Sequence, residues 1–297
     1  MGILLGLTAA VCWGVSDFVA RFASRRVGSY RVSFFIQTIG FSVLMFFLWI
    51  TGNLGRLWSA HGWHGWAWAV AAGVLNAVCS VLFYHSLEIG TLAVVAPISA
   101  SYPALTVTLA LLSGERFSVW RGVGIASTFL GVVLTATSPM PENDASGKEQ
   151  AIGKKRHMLS QGVGWAILAA LSFGVLFWIL GFRAVPALGG LASVWAIRTV
   201  TGLTLGMVAL PAHQSLKLPR GTVWWLLATV GVLDTSAFLA NNFALQWGSV
   251  SVVTVLASLF SAITVLLACV FLGERLARLQ WFGIVMILAG VALVNWR

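Results

Sequence analysis

Apolar and polar positions alternate along this chain in long blocks, not in the short periods of soluble strands and helices. Ten blocks reach the roughly 20 mostly apolar residues that cross a bilayer as an α-helix, at about 3–23, 32–51, 66–86, 91–112, 119–137, 161–181, 189–210, 222–243, 249–272 and 279–296. Short polar breaks such as SRRVGSYR and PAHQSLKLPRG separate them. One break differs. SPMPENDASGKEQAIGKKRHMLSQG, starting at Ser138, is the only long polar stretch, and its Pro, Gly, Ser and mixed charge read as a flexible linker over 138–160. It leaves five apolar segments on each side, in residues 1–137 and 161–297. The expected fold class is all-α integral membrane, with ten transmembrane helices.

Composition narrows the setting. Hydrophobic residues make up 59% of the 297 and charged residues only 9%, too few to cover a water-facing surface of this size. Most of the surface therefore faces membrane lipid. The net charge of +10 invites a nucleic-acid reading, but the basic residues stand singly or in short clusters between apolar blocks, as in membrane loops, and no nucleic acid is expected as partner. Cys12, Cys79 and Cys269 lie inside apolar runs without a CxxC pair or an accompanying His cluster, so neither disulfide, metal nor cofactor is expected. The first apolar run starts at Gly2 with no basic flank and reads as a membrane helix, not a cleaved signal. The five His are scattered and form no HExxH, and no GxxxxGK[ST] occurs. An enzyme and an ATP-driven pump are both disfavoured.

The two sides of the linker resemble each other. SGERF (113–117) and LGERL (272–276) each close an apolar run. GVLN at Gly73–Asn76 matches GVLD at Gly231–Asp234, and LEIG at Leu87–Gly90 matches LQWG at Leu245–Gly248, both at an offset of 158. AAVCWGV (from Ala9) matches AALSFGV (from Ala169), and FFIQT (from Phe34) matches WAIRT (from Trp195). Gly124 and Gly131 recur as Gly283 and Gly290. A five-helix unit written twice enters the membrane from opposite sides, and such inverted repeats build secondary transporters that rock around a midplane site.

The residues that recur also carry a family resemblance. Trp13-Gly14, Pro103, Gly114-Glu115-Arg116, Gly124 and LGVVL, with Gly273-Glu274-Arg275, Gly283 and AGVAL in the second half, resemble the EamA-type repeat of the drug/metabolite transporter superfamily. The resemblance spans both halves. It implies a ten-helix transporter of small metabolites, often an exporter, with a central cavity lined from both halves. The chain departs from the pattern at Phe173, at Ser261 in the place of Pro103, and at Gln37 where an Arg is common, while Arg198 fills that place in the second half.

Polar groups inside apolar blocks mark internal pairs or pathways. Asp17 and Arg21 share a helix face with Trp13. They form a local ion pair, or Asp17 lines the cavity and binds a cationic group or a proton. Arg198 and Asp234 sit mid-segment and are too costly to leave unpaired. They fix packing as a pair, or Arg198 binds a substrate carboxylate or phosphate with Asp234 as its counter-charge or as a proton carrier. Asn76 is the neutral counterpart of Asp234. Ser99, Tyr102 and Thr106 share one face, as do Thr254, Ser258 and Ser261. These hydroxyls bond helices together or ring a cavity. Tyr84, Asn241, Asn242 and Gln246 are placed toward segment ends, lining an entrance or meeting headgroups. The deep Trp13, Trp178 and Trp195 stack on a flat substrate or pack, while Trp63, Trp66, Trp68, Trp120, Trp224, Trp225 and Trp281, with Trp58 and Trp296, read as interfacial anchors. Pro97 and Pro103 mark a kinked fourth segment with no equivalent in the ninth. Glu115 and Glu274 read as loop residues carrying local ion pairs, or as gates. The candidate substrate-binding set is Trp13, Asp17, Asn76, Tyr102, Trp195, Arg198, Asp234 and Ser258.

Basic residues such as Arg25, Arg26, Lys154, Lys155, Arg156 and Lys217 concentrate after odd-numbered segments, which places both termini outside. The family resemblance implies termini inside. The function expected is a secondary transporter in the plasma (inner) membrane. It exports amino acids or related small molecules by alternating access, coupled to a proton or substrate gradient or uncoupled. The alternative is a non-transporting scaffold or lipid-handling protein.

Overall fold

The computed structural model describes residues 1–52, 54–57, 62–116, 119–137, 152–273 and 278–294. The expectations for Glu274, Arg275, Trp58, Trp296 and residues 138–151 lie outside them. Every regular element among the described residues is helical, as the bilayer demands of a chain whose backbone groups must bond within their own segment. The first half holds α1 (Gly2–Val27), α2 (Ser29–Ile50), α3 (Trp63–Ile89), α4 (Leu92–Ser99), α5 (Pro103–Leu112) and α6 (Val119–Thr137). The second holds α7 (Ile152–Ile179), α8 (Val185–Ala209), α9 (Val223–Trp247), α10 (Val250–Ala257), α11 (Phe260–Leu272) and α12 (Arg278–Val294). Helix α7 starts inside the stretch read as linker. Ile152 onward carries Lys, Arg, Met and Leu, which sustain a helix in phase with the apolar run that follows.

Among the described residues, seven stretches are long and apolar enough to cross a membrane: α1, α2, α3, Leu92–Leu112, Gly162–Ala209, α9 and Val250–Leu272. The count is below ten partly because α7 passes through a π turn at Leu180–Ala184 straight into α8, so that 48 residues count once. An unbroken helix of that length would run about 72 Å, more than twice the hydrocarbon thickness. It is broken at Gly189, with φ 79° and ψ 167°. Both arms pack on α3, itself only about 40 Å long, so the chain turns back there. Gly28, between α1 and α2, makes the same corner at φ 85° and ψ 149°, a conformation that a side chain would strain. The remaining helices, α6 and α12, pack along each other, with Gly124, Gly131, Gly283 and Gly290 buried.

The fourth and ninth segments are both broken, which corrects the expectation of a bend in one only. After α4, Pro103 opens α5; it has no N–H to give and its ring crowds the carbonyl four residues back. In the second half the break between α10 and α11 needs no proline. The Ser258 hydroxyl donates to the Val255 carbonyl (2.7 Å) and that of Ser261 to Ser258 (3.3 Å), back-bonding that competes with the helix ladder.

Contacts between helices recur in pairs. Thr106 Oγ1 donates to the Gly174 carbonyl at 3.0 Å, and Thr264 Oγ1 to the Gly14 carbonyl at 3.1 Å. Gly73 lies against Val200 and Gly231 against Ile39, so closely that a Cβ would stand 2.5 and 2.8 Å from them. In each pair the partner positions exchange halves.

Candidate substrate site

A cavity lies among α1, α2, α3, α7, α9 and the two helix breaks. Its walls come from both halves in corresponding positions: Trp13 and Phe173, Asp17 and Phe177, Asn76 and Asp234. Ser80 and Phe238, and Tyr102 and Phe260, complete the paired lining, and Gln37, Phe83 and Tyr84 have no lining counterpart.

Charge in this site is arranged around Asp234. Arg198, 1% exposed, directs Nη1 to Asp234 Oδ2 at 2.7 Å and to Gln37 Oε1 at 2.7 Å. Its guanidinium also rests on the Phe238 ring, 4.9 Å from the centroid. The other Asp234 oxygen accepts the Trp13 indole N–H at 2.9 Å. Four side chains from α1, α2, α8 and α9 are thus tied together, and the Arg198 charge is answered within the protein. The first-half counterpart is neutral: Asn76 Nδ2 donates to Thr201 Oγ1 at 3.1 Å, and Thr201 donates to the Gly73 carbonyl at 2.8 Å.

Asp17 stands apart. It is 5% exposed, lines the cavity, and takes no hydrogen bond or ion pair among the described residues. The local pair with Arg21 is therefore absent. A lone carboxylate in so dry a place carries a large desolvation cost. Its surroundings are aromatic: Phe177 stacks on Tyr102 at 4.8 Å and meets Trp13 edge-on at 5.7 Å. A carboxylate in a cavity lined by aromatic residues suits a cationic group, which gains from both.

Of the eight candidate residues, the cavity gathers Trp13, Asp17, Asn76, Tyr102 and Asp234. Arg198 lies behind the wall. Trp195 packs on Trp66 and Phe41, and its N–H meets Met45 Sδ at 3.1 Å. Ser258 serves the helix break. The hydroxyls of Thr254, Ser258 and Ser261 all bond back within their own segment. Tyr84, Asn241 and Asn242, placed by their position near segment ends, are buried at 5%, 1% and 0% exposure. Both α3 and α9 run on past them to Ile89 and Trp247, which sinks these residues into the bundle. Sequence reading named Phe173 only as a departure from the family pattern and passed over Phe177, Phe238 and Phe260. Their alignment with Trp13, Asp17, Ser80 and Tyr102 across the halves was the signal that could have found them.

Glu115 forms no ion pair among the described residues. Its carboxylate accepts the Ser251 N–H at 3.3 and 3.4 Å, capping the first turn of α10 in the other half.

A family model described as the EamA-like transporter family matches residues 1–137 and again 160–296. An uncharacterized transporter of Synechocystis is 24% identical, across all of this chain and 94% of its own. An uncharacterized protein of Methanocaldococcus jannaschii is 30% identical over 101 residues, which are 34% of this chain but 74% of that protein. A solved crystal structure superposes with a TM-score of 0.72 at 18% identity, covering 99% of this chain and 96% of that one, and so shares the fold.

Proposed function

The chain belongs to the EamA-like transporter family, and from that premise we propose a ten-span secondary transporter of the plasma membrane, made of two inverted five-helix repeats. It exports small amine-bearing metabolites, amino acids among them, by alternating access. The matched contacts at Thr106 and Thr264 and at Gly73 and Gly231 support the repeat, since exchange of partners between halves is what a two-fold relation produces. The short Methanocaldococcus relative, about one repeat long, supports it as well.

One observation carries the substrate class: the buried, unpartnered Asp17 carboxylate on the wall of an aromatic cavity. The substrate ammonium meets Asp17 while its apolar part lies among Phe173, Phe177 and Phe238. A proton competes for the same carboxylate, which couples proton movement to transport without a second site. Arg198, held by Gln37 and Asp234, sets the shape and potential of the wall.

The test is transport by the purified chain in liposomes, with phenylalanine, leucine and tyramine as probes and a pH dye inside. Wild type is expected to move at least one probe with counterflow of protons. The Asp17→Asn variant, folded and inserted equally well, moves none. Unchanged transport and proton flow in Asp17→Asn would remove Asp17 from the site.

A further inference from the structure

The cavity is lined in corresponding pairs until the last turns of α3 and α9, where the halves part. On α3, the turn after Ser80 adds Phe83 and Tyr84 to the wall. On α9, the turn after Phe238 carries their counterparts Asn241 and Asn242, and these lie outside the cavity, 1% and 0% exposed. They make one long contact, Asn241 Nδ2 to Asn242 Oδ1 at 3.4 Å. Asn241 Oδ1 and Asn242 Nδ2 have no partner among the described residues. A buried amide group left unpaired is costly, and native folds pair nearly all of them.

The corner helices differ in the same sense. At the first-half corner the Ser29 N–H reaches α3 only through a side chain, donating to the Glu88 carboxylate at 3.0 Å, and a separate open pocket lies beside it among Val27, Arg31, Leu82 and His85. At the second-half corner the approach is backbone to backbone. Gly190, the counterpart of Ser29, lies so tightly on α9 that a Cβ would be 3.2 Å from the carbonyl carbon of Asn242 and from the nitrogen of Phe243. The chain thus joins one corner to its neighbour through a carboxylate side chain and shuts its twin backbone to backbone.

We infer that Asn241 and Asn242 form a second substrate-contact subsite, lining the opposite mouth of the same cavity once the Gly189–Gly190 corner leaves α9. This rests on the alternating-access reading above. The subsite is neutral, and each amide both donates and accepts, so it takes the hydroxyl, amide, ammonium or carboxylate groups of a small polar solute without adding charge. The two amides unpaired in the closed packing are the groups that a passing solute or water satisfies. The Asp17 side grips by charge, and the Asn side releases to hydrogen bonds.

The experiment is thiol labelling in proteoliposomes. Cys12, Cys79 and Cys269 are replaced by Ala, and Asn241→Cys, Asn242→Cys or Tyr84→Cys is introduced singly. A charged, membrane-impermeant methanethiosulfonate is added on one side or the other. Tyr84→Cys is expected to react from the side of Arg25 and Arg26, and the Asn241 and Asn242 reporters from the opposite side. Adding Gly190→Ala, which loosens the shut corner, should raise the rate at either Asn reporter by about tenfold, the effect of ~1.4 kcal/mol on a two-state balance. Two reporters are used so that misfolding of one leaves the other. If neither reacts while Tyr84→Cys does, the cavity stands and the subsite falls. Reaction from the same side as Tyr84→Cys also overturns it. If Tyr84→Cys is inert from both sides, the cavity itself is not on a transport path, and both readings fall.

Discussion

Asn76 and Asp234 hold the same place in the two halves, three residues after glycines that make matched contacts, and they are bonded in opposite styles. Asn76 belongs to a neutral relay that ends on a backbone carbonyl. Asp234 is the hub of a charged network reaching α1, α2 and α8. One duplicated scaffold thus carries a soft joint on one side of the cavity and a hard one on the other. A neutral hydrogen bond is worth about 1 kcal/mol and survives small shifts. A buried ion pair is costly to separate, so its helices move as a unit. The difference assigns the rigid part of the cavity wall to α2, α8 and α9, and the yielding part to the α3 side.

The largest expected effect follows from breaking the hard joint. Arg198→Ala leaves Asp234 buried without its cation and should lower stability by ~3–5 kcal/mol, read as thermal unfolding in detergent. Asn76→Ala should cost only about 1 kcal/mol. Equal losses at the two sites would end the contrast. Replacing both charged partners, Arg198→Met with Asp234→Leu, should recover most of the stability while transport stays lost. Next in size is Trp13→Phe. The ring remains between Phe177 and Phe238, and the bond to the Asp234 carboxylate goes, for about 1.5–3 kcal/mol. A loss confined to the packing range below ~0.5 kcal/mol would show that the indole N–H is not part of the hub.

Much of this contrast could be read before the structure. A carboxylate, an amide or a guanidinium inside an apolar block is conspicuous, because burying it costs so much, and Trp13, Asp17, Asn76, Tyr102 and Asp234 do meet at one cavity. The pairing of Arg198 with Asp234 was legible for the same reason. Phe173, Phe177, Phe238 and Phe260 were not, since an aromatic ring in an apolar run looks the same whether it faces lipid, a neighbour or a cavity. Trp195 and Ser258 misled through type. Depth in a segment says nothing of direction, and a helix has more than one buried face. The break at Ser258 was hidden because back-bonding by serine leaves no mark as visible as proline. The turn ahead of Gly189 was legible as the gap between the apolar segments at 161–181 and 189–210.

Two smaller effects test whether the halves are mechanically alike away from the hub. Thr106→Val and Thr264→Val each delete one cross-helix bond, at 3.0 and 3.1 Å, and each should cost about 1 kcal/mol, the two agreeing within ~0.5 kcal/mol. A clear inequality would mean that the charged hub stiffens its own half well beyond its neighbours. The smallest effect concerns Glu115. Its carboxylate reaches the first turn of α10, where a negative group also meets the positive end of the helix dipole, so Glu115→Ala should cost about 0.5–1 kcal/mol. Glu115→Gln keeps an acceptor and loses the charge, and should cost about half as much. Because this contact links the end of α5 to the start of α10, its loss should also loosen one half against the other without touching the cavity. Amide hydrogen exchange at Ser251 to Val253 is the sensitive reading. Faster exchange there, with exchange near Asp234 unchanged, places Glu115 as a tie between halves. Equal acceleration at both would mean that the hub, and not the loop, holds the halves in register.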